Sequence, residues 1–272
     1  MSDFLTNMAE ASAHRAGIVR ETVGERALEE RAAAAPPPHP LSFAPDGFDL
    51  IAEAKLSSPS EGALVTGPAT AERVVDLAST YAAHGAVAIS VLTEPARFDG
   101  DLEHLRATAH QVELPVMRKD FLVDPIQVLE ARAAGASGVL LIATLLPGEL
   151  LVEMTDLSLE LGMFVLVEVF DRSDLQNAVK VFDREVLVGV NSRDLTTLEV
   201  DSTRFETLAP HLPDHLPAVA ESGIGSPGEA AFVADLGYRL ALVGSSLVRD
   251  PDPGALLLRM LSAGRDVVRG VA

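Results

Sequence analysis

Short apolar runs rich in β-branched residues recur along the chain at 49–54, 87–92, 114–117, 138–143, 164–169, 185–190, 218–220 and 240–243. Most are continuous rather than alternating, as expected of strands buried on both faces of a parallel sheet. Between them the period changes to that of a helix. Val74, Leu77, Ala78 and Tyr81 form an i, i+3, i+4, i+7 stripe that stops at Gly85. Asp124 and Pro125 read as an N-cap and a first helical position, with Gly135 closing that helix. Pro147 and Gly162 bracket another, whose apolar face is Leu150, Leu151, Met154, Leu157 and Leu161. Ser226 to Glu229 has the S-x-x-E form of a capping box, and Gly237 ends the helix it opens.

Eight strand–helix units in roughly 220 residues match an α/β fold, a single eightfold (β/α)8 TIM barrel, in count and length. A doubly wound open sheet is the competitor, but the G-x-G-x-x-G fingerprint expected after its first strand is missing. The catalytic barrel is expected to occupy 48–272. Before it, 1–47 reads as an N-terminal helical extension and a spacer. Residues 1–31 are polar with few apolar positions, predicting one weak helix that packs on something else. Residues 32–40 (AAAAPPPHP) contain consecutive prolines that break a helix and stiffen the chain.

In such a barrel the site lies at the carboxyl ends of the strands, so polar residues interrupting the runs there are informative. Ile51, Glu53 and Lys55 share one face of the first strand by its period of two. The third ends in Arg118-Lys119-Asp120, the fifth carries Glu168, the sixth ends in Asn191-Ser192-Arg193-Asp194 and the seventh in Glu221-Ser222-Gly223. Any one of these could merely mark where a strand meets a loop. Together they are harder to dismiss, because burying unpaired charge is costly. Lys55, Lys119 and Lys180 are the chain's three lysines, and two of them fall in this set. A partly buried lysine can give up a proton where an arginine cannot, so a lysine and a glutamate on facing strands suit a general acid and a general base. Ser222-Gly223-Ile224-Gly225 and Gly244-Ser245-Ser246 form small, donor-rich turns after the seventh and eighth strands, the usual phosphate cradle of this barrel class.

Composition narrows the alternatives. The 272 residues carry a formal charge of -19. That disfavours a nucleic-acid binder, which needs a basic face, and requires any anionic ligand to be held by a local site. With no Cys, a disulfide scaffold, thiolate metal site or cysteine nucleophile is excluded. The histidines (14, 39, 84, 104, 110, 211 and 215) form no H-E-x-x-H and are assigned to the surface or to helix ends. No metal and no organic cofactor is implied. There is no basic-then-apolar leader, and no apolar run nears the ~20 residues of a membrane span. A soluble, cytoplasmic protein is expected.

The segments 51–62 (IAEAKLSSPSEG), 117–124 (MRKDFLVD), 166–169 (LVEV), 190–195 (VNSRDL), 220–224 (AESGI) and 242–247 (LVGSSL) resemble, in order and spacing, the signatures of indole-3-glycerol phosphate synthase. The resemblance covers about 48–250 and implies a cofactor-free barrel enzyme of tryptophan biosynthesis. Such an enzyme cyclises 1-(2-carboxyphenylamino)-1-deoxyribulose 5-phosphate to indole-3-glycerol phosphate, with loss of carbon dioxide and water. By position, Lys119 resembles the general acid and Glu168 the general base. Lys55 resembles the lysine that engages the substrate carboxylate and shares in proton transfer, and Glu53, Asn191 and Glu221 the residues that orient these groups. Arg193 and Ser58 resemble substrate contacts, and Phe98, Phe121, Leu140 and Leu195 the apolar pocket for the anthranilate ring. Ser222, Gly223, Gly244 and Ser245 would hold the phosphate. The partner implied is a small phosphorylated substrate, with neither nucleic acid nor membrane, and with transient contact to other enzymes of the pathway. Leu56 and Glu61 stand where the family pattern commonly carries basic residues. Another phosphosugar barrel, such as phosphoribosylanthranilate isomerase, would share the phosphate loops but leave Lys55, Lys119 and Glu168 together unexplained. A binding-only relative has Leu56 and Glu61 as its sole support.

Overall fold

Each of the expected apolar runs forms a strand. The computed structural model describes residues 3–44, 47–65, 67–194 and 197–270. Its strands are β1 (Asp49–Ala54), β2 (Ser57–Ser58), β3 (Gly62–Ala63), β4 (Ala88–Leu92), β5 (Val116–Lys119), β6 (Gly138–Ile142), β7 (Phe164–Val169), β8 (Leu187–Asn191), β9 (Ala218–Glu221) and β10 (Leu240–Val243). β2 and β3 make a small antiparallel hairpin in the loop after β1. The other strands close into a parallel barrel in chain order, with β10 returning to pair with β1. The expected (β/α)8 barrel is therefore the fold; the hairpin, too short to leave a periodic signal, is an addition to it.

The helices are α1 (Asp3–Thr22), α2 (Glu25–Ala34), α3 (Ala71–Ala83), α4 (Pro95–Phe98), α5 (Leu102–Gln111), α6 (Pro125–Ala133), α7 (Gly148–Glu160), α8 (Arg172–Ala178), α9 (Thr203–Leu208), α10 (Pro227–Asp235), α11 (Ser245–Arg249) and α12 (Pro253–Val268). Asp124 caps α6 in a full capping box with Gln127. Gly135, at φ 94°, adopts the left-handed conformation that ends the helix and turns the chain into β6. The α10 cap departs from the expected box. Ser226 accepts from the Glu229 amide, but Glu229 Oε2 takes the Gly225 amide (2.8 Å) and the Ser226 hydroxyl (2.9 Å), reaching back into the loop instead. Among the histidines, His104 lies in the first turn of α5 but is buried, and burial lowers its pKa.

The N-terminal segment differs from the single helix expected over 1–31. Gly24, at φ 83°, interrupts it, and a second helix runs on into the alanines of the spacer. It stops where Ala35, ahead of Pro36, becomes extended (ψ 148°), as a residue before proline prefers. The buried face of α1 is a narrow stripe, Leu5, Met8, Ser12 and Ala16. Its C-terminal end seats on α6, where Ala16, with Leu28 of α2, packs with Ile126 and Leu129, while Leu5 and Met8 join the main core. Gln127 donates to the Ser12 hydroxyl (2.8 Å), and Arg20 makes a two-pronged pair with Asp124 (3.0 and 2.7 Å). Arg132 donates to the carbonyls of Ala35 and Pro36, fastening the spacer to the same helix.

Candidate active site

A cavity of about 420 Å³ opens at the carboxyl ends of the barrel strands. Every residue that the family resemblance places in catalysis, substrate contact or phosphate binding lines it, except Leu195, which lies outside the described residues. The parallel register sets this up. Glu168 on β7 is level with Gly189 on β8, and Asn191 on β8 is level with Glu221 on β9. Alternation along each strand then turns Glu53, Lys119, Glu168, Asn191 and Glu221 toward the cavity.

Lys119 Nζ stands 3.1 Å from Glu168 Oε2 and 3.7 Å from Glu221 Oε2. Burial pulls this ammonium down, but Glu168, Glu221 and Glu53 outweigh it and leave its pKa above the ordinary lysine value. Lys119 therefore stays protonated across the neutral range. Glu221 is shifted upward as well, which favours its uncharged form. Burial and then the charge of Glu168 push its pKa well above that of an ordinary glutamate, against the pull of Lys119. A side-chain hydrogen bond with Glu168 adds to the upward shift. The titrations of Glu221 and Lys119 are thus linked, each group shifted by the charge of its neighbours in the barrel. Lys55 Nζ pairs with Glu53 Oε1 at 2.7 Å, joining β1 to the residue just beyond its end.

Two glycines make room for these carboxylates. A Cβ on Gly189 would fall 2.1 Å from Glu221 Oε1, and one on Gly244 would fall 2.4 Å from Glu53 Oε1. Both positions need hydrogen for a side chain because a functional carboxylate occupies the space.

On one side the cavity is apolar. The Phe98 and Phe121 rings are 6.1 Å apart, Leu140 lines the adjoining wall, and Phe4 of α1 meets Phe121 edge-on at 6.0 Å. Phe4 also lines the cavity, a position the sequence pattern does not reveal, for it is one apolar residue in a mostly polar helix. α1 is held there from behind Lys119. Asp120 accepts from Arg15 (2.8 Å), Thr93 (2.8 Å) and its own neighbour's amide at Phe121 (2.8 Å), and pairs with Arg118 (3.1 Å). Arg118, grouped with Lys119 in the sequence, points away from the cavity into this network, as alternation with its neighbour requires.

On the other side lie the turns after β9 and β10. Ser222 (φ 65°) and Gly223 (φ 69°) are both left-handed, and Ser192 Oγ donates to the Ser222 carbonyl at 3.0 Å. A serine held in that conformation is strained by about 1–3 kcal/mol, a cost met by the surrounding packing. Asn191 Oδ1 accepts from the Arg193 amide (2.9 Å), and Arg193 Nη1 donates to the Leu198 carbonyl (2.7 Å). Ser58 and Glu61 come from the loop after β1. Glu61 accepts from the Ser245 hydroxyl and pairs with Arg249 Nη1 at 2.9 Å. Partial burial opposes its charge, but Ser245, Arg249, Lys55 and Arg193 prevail and hold the carboxyl below its ordinary pKa. Nothing in the sequence ties Arg249 to residue 61, so only the fold brings it to the site. Leu56, also off the family pattern, is buried in the core. Among the described residues no group of three or more His, Asp or Glu is placed to hold a metal ion.

An acid–base pair between an aromatic pocket and an anion cradle suits a substrate that carries an aromatic ring at one end and a phosphate at the other. A sequence profile described as indole-3-glycerol phosphate synthase matches residues 12–260. The chain is 46% identical over 218 residues to the indole-3-glycerol phosphate synthase of Kineococcus radiotolerans, covering 80% of this chain and 77% of that one. It is 47% identical over 226 residues to that of a Nocardioides species, covering 83% and 85%. Among solved structures it is similar to 3-hexulose-6-phosphate synthase from Salmonella typhimurium, with a TM-score of 0.66 at 14% identity over 81% of this chain and 100% of that one. The alpha subunit of tryptophan synthase from Legionella pneumophila is similar at a TM-score of 0.57 and 19% identity, over 88% and 97%. At those identities the structural likeness concerns the barrel alone.

Proposed function

The chain belongs to the indole-3-glycerol phosphate synthase family, the decarboxylating lyases of tryptophan biosynthesis, and from that membership we propose the part that each residue of the cavity takes in the reaction. The carrying observation is the Lys119–Glu168 contact of 3.1 Å between the aromatic pocket and the anion cradle.

The substrate lies across the cavity. Phe98, Phe121 and Leu140 enclose the anthranilate ring, a pocket to which the family resemblance also assigns Leu195, Phe4 closes its far side, and Ser222, Gly223, Gly244 and Ser245 hold the phosphate. Lys55, kept in place by Glu53, engages the ring carboxylate and shares in proton transfer. Arg193 and Ser58 contact the sugar chain. Fixing both ends brings the carboxylate-bearing ring carbon against the ketone carbon, which removes much of the entropic barrier to closure.

Lys119 gives its proton to the ketone oxygen as the ring carbon bonds to the ketone carbon. Carbon dioxide then leaves, and its bonding electrons restore the aromatic ring. Lys119 then regains a proton from solvent, the one that decarboxylation of a carboxylate consumes overall, and in the dehydration that follows the new hydroxyl departs as water with that proton. Glu168 takes a proton from the carbon between the nitrogen and the former carbinol, completing the indole. Glu221 and Asn191 keep the acid and base aligned. The direct contact between Lys119 and Glu168 gives the proton a short return path.

Residues 1–47 serve as an extension that completes the pocket wall, and 48–272 as the catalytic barrel. The charge of -19 argues against nucleic acid as a partner. Among the described residues no helix is long and apolar enough to cross a membrane. We place the enzyme in the cytoplasm, acting on a small phosphorylated substrate, with only transient contacts to other enzymes of the pathway.

The chain has no Trp and two Tyr, so newly formed indole is readily followed by fluorescence. Adding the substrate to the protein should give a rising indole signal. Lys119→Met should lower the rate by about 10²–10⁴-fold while leaving the far-UV circular dichroism unchanged. A Lys119→Met variant that keeps more than about a tenth of the activity, far above that range, would remove Lys119 from the role of acid.

A further inference from the structure

We propose that the Glu61 carboxylate is a built-in occupant of the phosphate subsite, which the substrate's phosphate displaces to reach Ser245 and Arg249. The proposal rests on the reading of the β9 and β10 turns as the phosphate site, and it adds Arg249 to the residues that bind the anion.

Glu61 leaves the hairpin loop after β1 and reaches across the cavity mouth. One of its oxygens takes the Ser245 hydroxyl and the other meets Arg249 Nη1 at 2.9 Å. Ser58 Oγ lies 3.4 Å from the same Oε2 that Ser245 meets, on the hairpin itself. A hydroxyl and a guanidinium converging on two oxygens is the donor set that an anion requires. Glu61, Ser245, Arg249 and Lys55 all line the cavity. Neither end of this contact is fully exposed, since the side chains of Arg249 and Glu61 are 50% and 24% accessible. The other carboxylate of the mouth, Glu229, is bound to the Gly225 amide and the Ser226 hydroxyl and belongs to the α10 cap.

A phosphate carries more charge than a carboxylate and three acceptor oxygens, so it is the stronger ligand for this donor set. It cannot share the set with Glu61, because two anions a few ångströms apart repel. Substrate binding must therefore release Glu61, and with it the hairpin's anchorage to α11. The internal carboxylate weakens phosphate binding and keeps Ser245 and Arg249 paired until substrate arrives.

The test is calorimetric titration of inorganic phosphate at low salt into the full-length protein and its Glu61→Gln and Glu61→Ala variants. Circular dichroism melting confirms that each is folded. Both variants should bind phosphate about five- to tenfold more tightly than the parent, with the gain shrinking as salt is added. Adding Arg249→Ala to the Glu61→Ala protein should reverse most of that gain. Phosphate affinity unchanged or weakened in both Glu61 variants would overturn the proposal. An Arg249→Ala change without effect would overturn the assignment of Arg249. Turnover of the substrate by the parent protein, measured alongside, separates the two levels. Turnover with no gain in phosphate affinity would sink the displacement idea alone, and a gain without turnover would sink the proposed reaction alone.

Discussion

Gly189 is not expected to touch substrate, yet its replacement by alanine should damage catalysis through Glu221. Its added Cβ would lie 2.1 Å from Glu221 Oε1 and 3.0 Å from Leu166 Cδ1. Real Cβ contacts essentially never fall below 3.0 Å, so the carboxyl must move by nearly one ångström. The open direction is the cavity, where Lys119 waits at 3.7 Å. Displacing an aligned catalytic group by about 1 Å costs about 10²-fold in rate. Overpacking a barrel interior costs about 1–3 kcal/mol, which lowers Tm by about 2–12 °C in a chain of this length. The assay is the rate of indole fluorescence growth at saturating substrate, with Tm read by circular dichroism. The decisive arm is a double-mutant cycle. If the damage runs through Glu221, then Gly189→Ala should cost little further activity once Glu221 has been cut back to Ala. A full loss of about 10²-fold in both backgrounds, or no loss in either, would rule out Glu221 as the route of the damage.

The raised pKa of Glu221 has a consequence for stability. The folded protein binds this proton more tightly than the unfolded chain, so the contribution is complete below the ordinary glutamate pKa and is lost as pH rises through the raised folded value. The Tm of the parent should thus fall relative to that of Glu221→Gln as pH rises above the ordinary glutamate pKa, and parallel curves would contradict a raised pKa for Glu221. Arg118→Met removes the centre of a buried network that includes pairs at 3.1 Å to Asp120 and 2.7 Å to Glu130. Its expected cost is about 3–5 kcal/mol, seen as a Tm drop of about 6–20 °C, and a drop below about 3 °C would show that the network contributes little. Phe4→Ala should raise KM about tenfold with much less change in kcat, since it takes away one wall of the aromatic pocket. An unchanged KM would place α1 outside the binding site.

Much of the fold is legible in the chain because it is written in short-range patterns. Continuous β-branched runs mark the barrel strands, and Asp124-Pro125 with Gly135 bracket α6 through local hydrogen bonds and backbone preferences. The hairpin Ser57–Ser58 with Gly62–Ala63 is not legible, since two-residue strands carry no period. Nor is the split of the N-terminal helix at Gly24. A single interior glycine costs only about 1 kcal/mol, so tertiary packing decides whether a helix survives it.

The candidate site divides along the same line. Alternation along a strand is local, so residue order alone is enough to put Glu53 and Lys55 on one face and to stand Lys119, Glu168 and Glu221 at strand ends. The meeting of Lys119 with Glu168 at 3.1 Å needs the closed barrel, because β5 and β7 are joined through the register of β6 between them. Burial and neighbouring charge, which exist only in the folded molecule, raise the pKa of both Lys119 and Glu221 above their ordinary values. The placement of Phe4 against Phe121, and of Glu61 against Arg249, joins residues far apart in the chain. Local preference reaches a few residues in either direction, whereas those contacts depend on where whole helices and loops come to rest on the barrel.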